Sequence, residues 1–338
     1  MSHESLPPFL QALMHPGCYD HPVREVRLVQ THISSVLLAG DYVYKFKKPV
    51  NFGFLDFSDL DKRRYYCEQE LVLNRRLCPD IYLDLVVVTR ETGGGFALNG
   101  KGQVVEYGVK MVRMPEERMM PRLIQRGALN SGHIDRLVGV LSDFYRRAEG
   151  GADIAAFGRA KAVAVNVLEN FDQTQGAVDQ GALTREQFDR ISRYARDILA
   201  QEALFEQRIA GGFIRDCHGD LYSANICLAD KVYIFDCIEF NQRFRYSDVA
   251  SDVAFLAMDL DYHGLGQLSR YFVEQFCQRS NDPGLLAVLD FYKCYRAYVR
   301  GKIGLFTAGD PAVDAATRDF SLQQAARYFQ LADRYVGQ

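Results

Sequence analysis

His218-Gly219-Asp220-Leu221-Tyr222-Ser223-Ala224-Asn225, followed by Val232-Tyr233-Ile234-Phe235-Asp236, decides how the rest of this chain is read. It sets a carboxylate, a carboxamide five residues on and a second carboxylate eleven residues beyond that around a short apolar hairpin. An in-line displacement at phosphorus leaves a protein little covalent work: it orients an attacking hydroxyl and holds metal ions across the phosphates. The pattern therefore predicts a loop for phosphoryl transfer from magnesium-ATP. In it Asp220 accepts the hydroxyl proton, Asn225 and Asp236 ligate Mg2+, and His218 braces the loop by a hydrogen bond.

The flanking residues support a defined local structure. Phe213-Ile214-Arg215 is an apolar approach, Ile226-Cys227-Leu228 and Val232-Tyr233-Ile234-Phe235 are β-prone, and Ala229-Asp230-Lys231 forms the turn between them. The hairpin is expected to bring Asp236 back beside Asn225.

Composition narrows the function classes. With 338 residues, 48% of them hydrophobic, the chain has material for a large core in one two-lobed unit or two closely joined domains. A net charge of -3, evenly mixed, lacks the basic stripe of a nucleic-acid binder. Cysteines 18, 67, 78, 217, 227, 237, 277 and 294 form no Cys-x-x-Cys pair and no zinc-type spacing, which suits a reducing compartment. Met1 to Pro8 carries no basic leader with an apolar core, and no apolar run approaches the ~20 residues that span a bilayer. The expectation is a soluble cytoplasmic protein with neither nucleic-acid nor membrane partners.

Strands are expected at 26–30, 35–39 and 41–47, a helix over 59–77, and two further strands at 81–89 and 104–113 joined by a glycine-rich connection. Helices follow. Ser131 is placed to cap the first long one, and Thr184-Arg-Glu-Gln187 has the form of a capping box. Later helices are expected at 248–258, 265–279, 284–307 and 314–336. The fold class is α+β: a small antiparallel-sheet lobe with one helix, residues 1–114, and a larger helical lobe, residues 115–338, that carries the catalytic hairpin.

A nucleotide-binding lobe needs a lysine on its third strand, held by a glutamate from the following helix. Lys45 and Lys47 lie on one face of that strand because side chains alternate. Lys45 is preferred, with Glu70 as its partner and Glu68 as the fallback. No Gly-x-Gly-x-x-Gly loop precedes them; the turn from Gln30 to Ser35 offers hydroxyls and amides, Ser34 and Ser35 among them, to cap phosphates. Met114, with Met111, is expected at a hinge covering the adenine. Gly95 to Lys101 mimics part of a Walker A motif, yet Gly102 stands where Ser or Thr should bind magnesium. It is read as a glycine-rich turn. Asp248 and Asp252 share a helix face, and Asp252, deeper in the helix, is the expected anchor of the catalytic loop. Arg243 and Arg245 contact phosphate or substrate, or are merely solvated.

With these parts in order, the chain resembles the aminoglycoside phosphotransferase family, a branch of the protein-kinase-like fold. The blocks that carry the resemblance run from Thr31-His32-Ile33-Ser34 through Tyr44-Lys45, Glu70 to Arg76 and His218 to Leu221, then Ile234 to Asn241 and Asp252 to Leu260. The last blocks resemble a bacterial subfamily in which such a half is often fused to a C-terminal P-loop ATPase half, which this sequence, ending at Gln338, does not contain. The resemblance implies Asp220 as base, Asn225 and Asp236 as magnesium ligands, and Lys45 as the ATP lysine. Tyr222 stands where histidine or tryptophan is frequent in the family. It implies a kinase of a small-molecule alcohol, sugar or aminoglycoside-like acceptor. The alternative is a non-catalytic nucleotide-binding regulatory or scaffolding module. Asp259, Asp261 and Glu239 favour a cationic acceptor; Arg296, Arg300 and Lys302 favour an anionic or neutral one. The sequence is silent on oligomeric state.

Overall fold

The computed structural model describes residues 6–311 and 313–337, so the leader reading of Met1 to Pro8 lies outside them at its first five positions. Ten strands form among the described residues: β1 (Val26–Gln30), β2 (Ser34–Ala39), β3 (Tyr42–Lys47), β4 (Tyr82–Arg90), β5 (Phe96–Leu98), β6 (Gln103–Val112), β7 (Ile214–Asp216), β8 (Ile226–Leu228), β9 (Val232–Ile234) and β10 (Tyr246–Asp248). The main helices are α1 (Pro8–Leu13), α2 (Leu60–Asn74), α3 (Ser131–Arg147), α4 (Ala160–Thr174), α5 (Arg185–Leu199), α6 (Val249–Tyr262), α7 (Gly266–Ser280), α8 (Leu286–Gly309) and α9 (Ala315–Arg334). They fall into two compact units. One comprises the described residues up to Met119 with Ile226–Gln242; the other comprises Met120–Asn225 with the described residues from Arg243 on.

In the first unit six strands form an antiparallel sheet in the order β1-β2-β3-β6-β4-β5. Val, Leu and Tyr residues dominate β1 to β3, and the turn between β2 and β3 rests on Gly40 at φ +57°, where a side chain is strained. One face buries Leu37, Ala39, Tyr44, Phe46, Val86 and Val88 against Leu10 and Leu13 of α1. Gly108, opposite Phe46, leaves room for that ring: a Cβ there would stand 2.5 Å from it. The connection between β4 and β6 is a glycine-rich turn as expected, but it also contains the short β5, whose three residues are too few to show a period.

α2 is shorter than expected, from Leu60 to Asn74, and begins where Asp59 accepts a hydrogen bond from the Lys62 amide at 2.8 Å. Arg63 is buried in spite of its charge. Its Nε donates to Glu106 at 2.8 Å and its Nη1 to the Phe57 carbonyl at 3.0 Å.

The hairpin β8–β9 pairs Ile226 with Ile234 and Leu228 with Val232, the register expected from its turn. It packs with the first unit, whereas the sequence places it in the helical lobe. Cys78 Sγ donates to the Ile234 carbonyl at 2.9 Å, and Met119 bridges to Cys227. The partition thus follows contacts far apart in the chain, with the first boundary at Met119 and not at Met114.

The second unit is helical, with β7 and β10 paired as a two-stranded ribbon. α6 is buried from Val249 to Leu260, with Ser251, Asp252 and Asp259 as its buried polar residues. Thr184 and Gln187 form the expected capping box at the start of α5. α3 differs in one residue: Asn130, not Ser131, caps it by accepting from the His133 amide. Arg208 is buried between Asp248 (2.8 Å) and Asp282 (2.7 Å), joining the start of α6 to the turn before α8.

Candidate active site

In the second unit, β7 delivers the chain into the loop that begins at His218. Gly219 adopts φ +86°, a left-handed turn that glycine enters without a Cβ penalty. Asp252, fully buried in the first turn of α6, accepts the amides of His218 (2.7 Å) and Gly219 (3.0 Å) and the hydroxyl of Tyr145 (2.9 Å). The loop is therefore anchored where the sequence placed its anchor. Asp248 instead caps its own helix, accepting from the Ala250 amide at 2.9 Å.

A second anchor went unread in the sequence. Asp259 stands two turns along α6 from Asp252 and accepts the Ser223 amide at 3.0 Å, so one helix holds both ends of the loop. Arg296 of α8 adds a third tie. Its Nη1 donates to the Gly219 carbonyl at 3.1 Å, and its Nη2 lies 3.7 Å from Asp252. Within this frame the Asp220 amide donates to His218 Nδ1 at 3.3 Å, which places the ring proton on Nε2. Asn225 Nδ2 donates to both the carbonyl and the carboxylate of Asp220, each at 3.0 Å.

In the first unit, the alternation of β3 sets Lys45 and Lys47 on one face, and α2 supplies Glu70 to both. Lys45 Nζ lies 2.9 Å from Glu70 Oε1 and 2.5 Å from Asp236 Oδ1. Lys47 Nζ lies 2.7 Å from Glu70 Oε2 and also pairs with Glu239. Glu68 faces outward to Arg64, so the glutamate left open between positions 68 and 70 is Glu70. Burial opposes ionisation of Glu70, but the two ammonium groups outweigh it and hold the carboxyl down at about 2. Burial likewise opposes the charge of Lys45, yet Asp236 and Glu70 keep it firmly protonated. Glu239 moves the other way: burial pushes it up and Glu70 adds to the push, against the pull of Lys47.

Asp236 closes β9 with φ +64°, a left-handed conformation that aspartate tolerates better than most residues. Its amide donates to the Tyr82 hydroxyl at 3.2 Å, and its side chain is 45% exposed, open enough for a ligand. Asn74 fastens the same segment to α2, with Oδ1 accepting the Cys237 amide and Nδ2 donating to the Glu70 carbonyl, both at 2.9 Å.

Other expected contacts are taken up internally. The turn before β2 closes on itself, with Thr31 Oγ1 accepting the amides of Ile33 (3.3 Å) and Ser34 (2.9 Å), while Ser34 and Ser35 are buried in the strand. Met114 is half-buried just beyond β6. Arg245 is buried on Asp216 at 2.5 Å, and Arg243 pairs with Glu169 at 2.6 Å, so neither is merely solvated. Asp261 binds Lys293 (2.8 Å) and the Tyr335 hydroxyl (2.7 Å). Asp259, Asp261 and Glu239, read together as a cationic-acceptor signal, are thus each committed to internal partners.

Among the described residues no group of three or more His, Cys, Asp and Glu side chains is arranged to hold a metal ion. The Asp236 carboxylate in the first unit and, separately, the Asn225 carboxamide oxygen in the second are hard donors of the kind that Mg2+ accepts. Nor is any helix among the described residues long and apolar enough to cross a membrane.

No protein-family profile matches the chain. Uncharacterized proteins of Mycobacterium tuberculosis and Mycobacterium bovis are 33% identical over 305 residues, covering 88% of this chain and 59% of theirs. The chain thus spans under two thirds of these relatives. Among solved structures, the ethanolamine kinase of Plasmodium vivax matches with a TM-score of 0.50 at 11% identity, over 90% of this chain and 81% of that one. An amicoumacin kinase solved in complex with AMP-PNP, Ca2+ and Ami matches with a TM-score of 0.50 at 12% identity, over 95% of this chain and 92% of that one. The chain has the protein-kinase-like fold that the sequence resemblance implied.

Proposed function

We propose that this protein is an ATP- and magnesium-dependent phosphotransferase of the aminoglycoside phosphotransferase type, acting on a hydroxyl of a small molecule. The observation that carries the reading is the loop from His218 to Asn225, held at Gly219 and Ser223 by two carboxylates of α6. A loop that only needed to turn would not require two buried carboxylates and an arginine to fix it. In the other unit, Lys45, Glu70 and Asp236 make the ion-pair set that phosphate binding calls for.

In this reading the acceptor hydroxyl donates its hydrogen bond to Asp220. As its oxygen forms a bond to the γ-phosphorus, the bond from that phosphorus to the bridging oxygen breaks, the proton passes to Asp220 and ADP leaves with the electron pair. His218 keeps the Asp220 backbone in place, and Asn225 orients the carboxylate. Lys45 neutralises phosphate charge while Glu70 holds its ammonium. Asp236 and Asn225 Oδ1 would hold magnesium, which when bound neutralises the β- and γ-phosphate oxygens. Ser34, Ser35 and Met114 are assigned to the nucleotide side: the turn before β2 over the phosphates and Met114 beside the adenine. Residues up to Met114 serve the nucleotide, and those from 115 on carry the catalytic hairpin and bind the acceptor. The eight cysteines, which form no disulfide among the described residues, fit a cytoplasmic location.

The test is Asp220→Asn. Magnesium-ATP binding by calorimetry should be retained while transfer falls by about two to four orders of magnitude, the usual worth of a positioned base. An Asp220→Asn enzyme with undiminished turnover refutes the assigned role, and a wild-type protein that binds no nucleotide refutes the whole reading.

A further inference from the structure

α8 runs beside the catalytic loop and presents Arg296 and Arg300, one turn and about 6 Å apart along its axis. Arg296 reaches Gly219, and the Arg300 guanidinium lies 4.9 Å from the centre of the Tyr222 ring. Asp220 is the residue between Gly219 and Leu221, so the two arginines bracket its stretch of chain. Rings and guanidiniums continue in a column. Arg296 covers Phe255 (4.9 Å), Phe255 stacks on Tyr222 (5.3 Å), and Arg300 also faces Tyr328 (5.6 Å), which stacks on Tyr262 (3.9 Å).

The two arginines differ in how their charge is met. Arg296 has the Gly219 carbonyl and Asp252. Arg300 has no carboxylate within ion-pair distance among the described residues; its Nε, like that of Arg296, has no hydrogen-bond partner there, and its side-chain hydrogen bond is with the Tyr328 phenol. Ring faces attract a cation, but they do not replace the two-point pairing that a guanidinium makes with a carboxylate or phosphate. Burial opposes the charge of Arg300, while the Tyr222 and Tyr328 side chains and the Asp220 carboxylate favour it. Asp259 and Asp261, the carboxylates of this unit that a cationic acceptor would be expected to meet, are already bound to Ser223, Lys293 and Tyr335.

Building on the kinase reading, we propose that Arg300 receives an anionic group of the acceptor, so that the substrate is a hydroxylated carboxylate or a sugar phosphate and not an amino alcohol or amino sugar. The anion then fixes the distance from Arg300 to the hydroxyl placed at Asp220. Arg300 in this role binds the acceptor, whereas Arg296 positions the loop.

The experiment measures stabilisation of nucleotide-free protein by D-gluconate, D-glucose 6-phosphate, D-glucose and ethanolamine at matched ionic strength, because a ligand of the folded state raises its melting temperature. At least one of the two anions should stabilise the wild type more than glucose or ethanolamine does. Arg300→Gln should weaken that apparent affinity tenfold or more, and Arg300→Lys should restore part of it. Gluconate and glucose 6-phosphate as separate arms tell carboxylate from phosphate. A preference for ethanolamine, no stabilisation by either anion, or equal stabilisation of Arg300→Gln overturns the proposal. Should Arg300→Gln fail to fold, the wild-type ranking and Arg300→Lys still decide. A parallel titration with magnesium-ATP separates the two claims. Failure to bind nucleotide refutes the kinase reading and leaves the anion ranking to stand; a preference for the cation refutes the anionic acceptor alone.

Discussion

Replacing Glu70 by Gln keeps the shape of a fully buried side chain and removes the one charge that both Lys45 and Lys47 touch. A carboxyl held at about 2 instead of its ordinary 4.5 corresponds to about 3 kcal/mol of extra stability at neutral pH. Breaking a buried ion pair from one side costs a similar ~3–5 kcal/mol. The lower figure is the better guide, because Lys45 keeps Asp236 and Lys47 keeps Glu239. Equilibrium urea unfolding at pH 7 should therefore show Glu70→Gln about 3 kcal/mol less stable than the wild type. The sign of the pH dependence follows from the lowered folded-state value. The contribution is complete above pH 4.5 and drains as pH falls toward 2, so the gap between the two proteins should close across that window. Glu239 provides the contrast, since its carboxyl is raised: its charge opposes folding at neutral pH, and that opposition is relieved on acidification. Glu239→Gln should accordingly cost less than Glu70→Gln. An unfolding free energy for Glu70→Gln within about 0.5 kcal/mol of the wild type at pH 7, well below the ~3 kcal/mol expected of a buried pair, refutes the reasoning. So does a gap that widens in acid.

Two further outcomes are expected. Asp252→Ala leaves the amides of His218 and Gly219 without their buried acceptor, at about 1–3 kcal/mol each. Hydrogen exchange at those two amides should accelerate, and turnover should fall more than nucleotide affinity. Unchanged exchange there would mean that the loop does not depend on α6. Thr184→Ala removes one half of the capping box on α5 and should cost about 1 kcal/mol, with Thr184→Ser restoring most of it. Thermal unfolding of the two variants side by side decides this.

Much of this architecture was legible because it is written in local pattern. The alternation of β3, the turn at Ala229 to Lys231, the capping box at Thr184 and the depth of Asp252 in its helix each depend on neighbours within a few residues. What stayed hidden depends on partners far along the chain. Asp259 looked like an acceptor-binding acid because nothing near it in sequence discloses the Ser223 amide, 36 positions away. Arg63 and Arg245 look like surface residues by type, and only Glu106 and Asp216 make them interior. Lys47 was set aside in favour of Lys45, although the alternation that selects one selects both. Arg296 had a signal that was available: an arginine one turn from another on an apolar helix asks what each is paired with.

Asn74 stitches α2 to the strand exit at Cys237, and Cys78 and Arg76 add their own links to Ile234 and Cys237. Together with the lysine pairs, these tie the helix bearing Glu70 to the turn bearing Asp236 at several points. Kinases that are switched by swinging this helix need it loose enough to carry its glutamate away from the lysine. In this chain the same swing would also have to break the Asn74, Arg76 and Cys78 contacts, so the helix is tethered at its far end as well as at its glutamate.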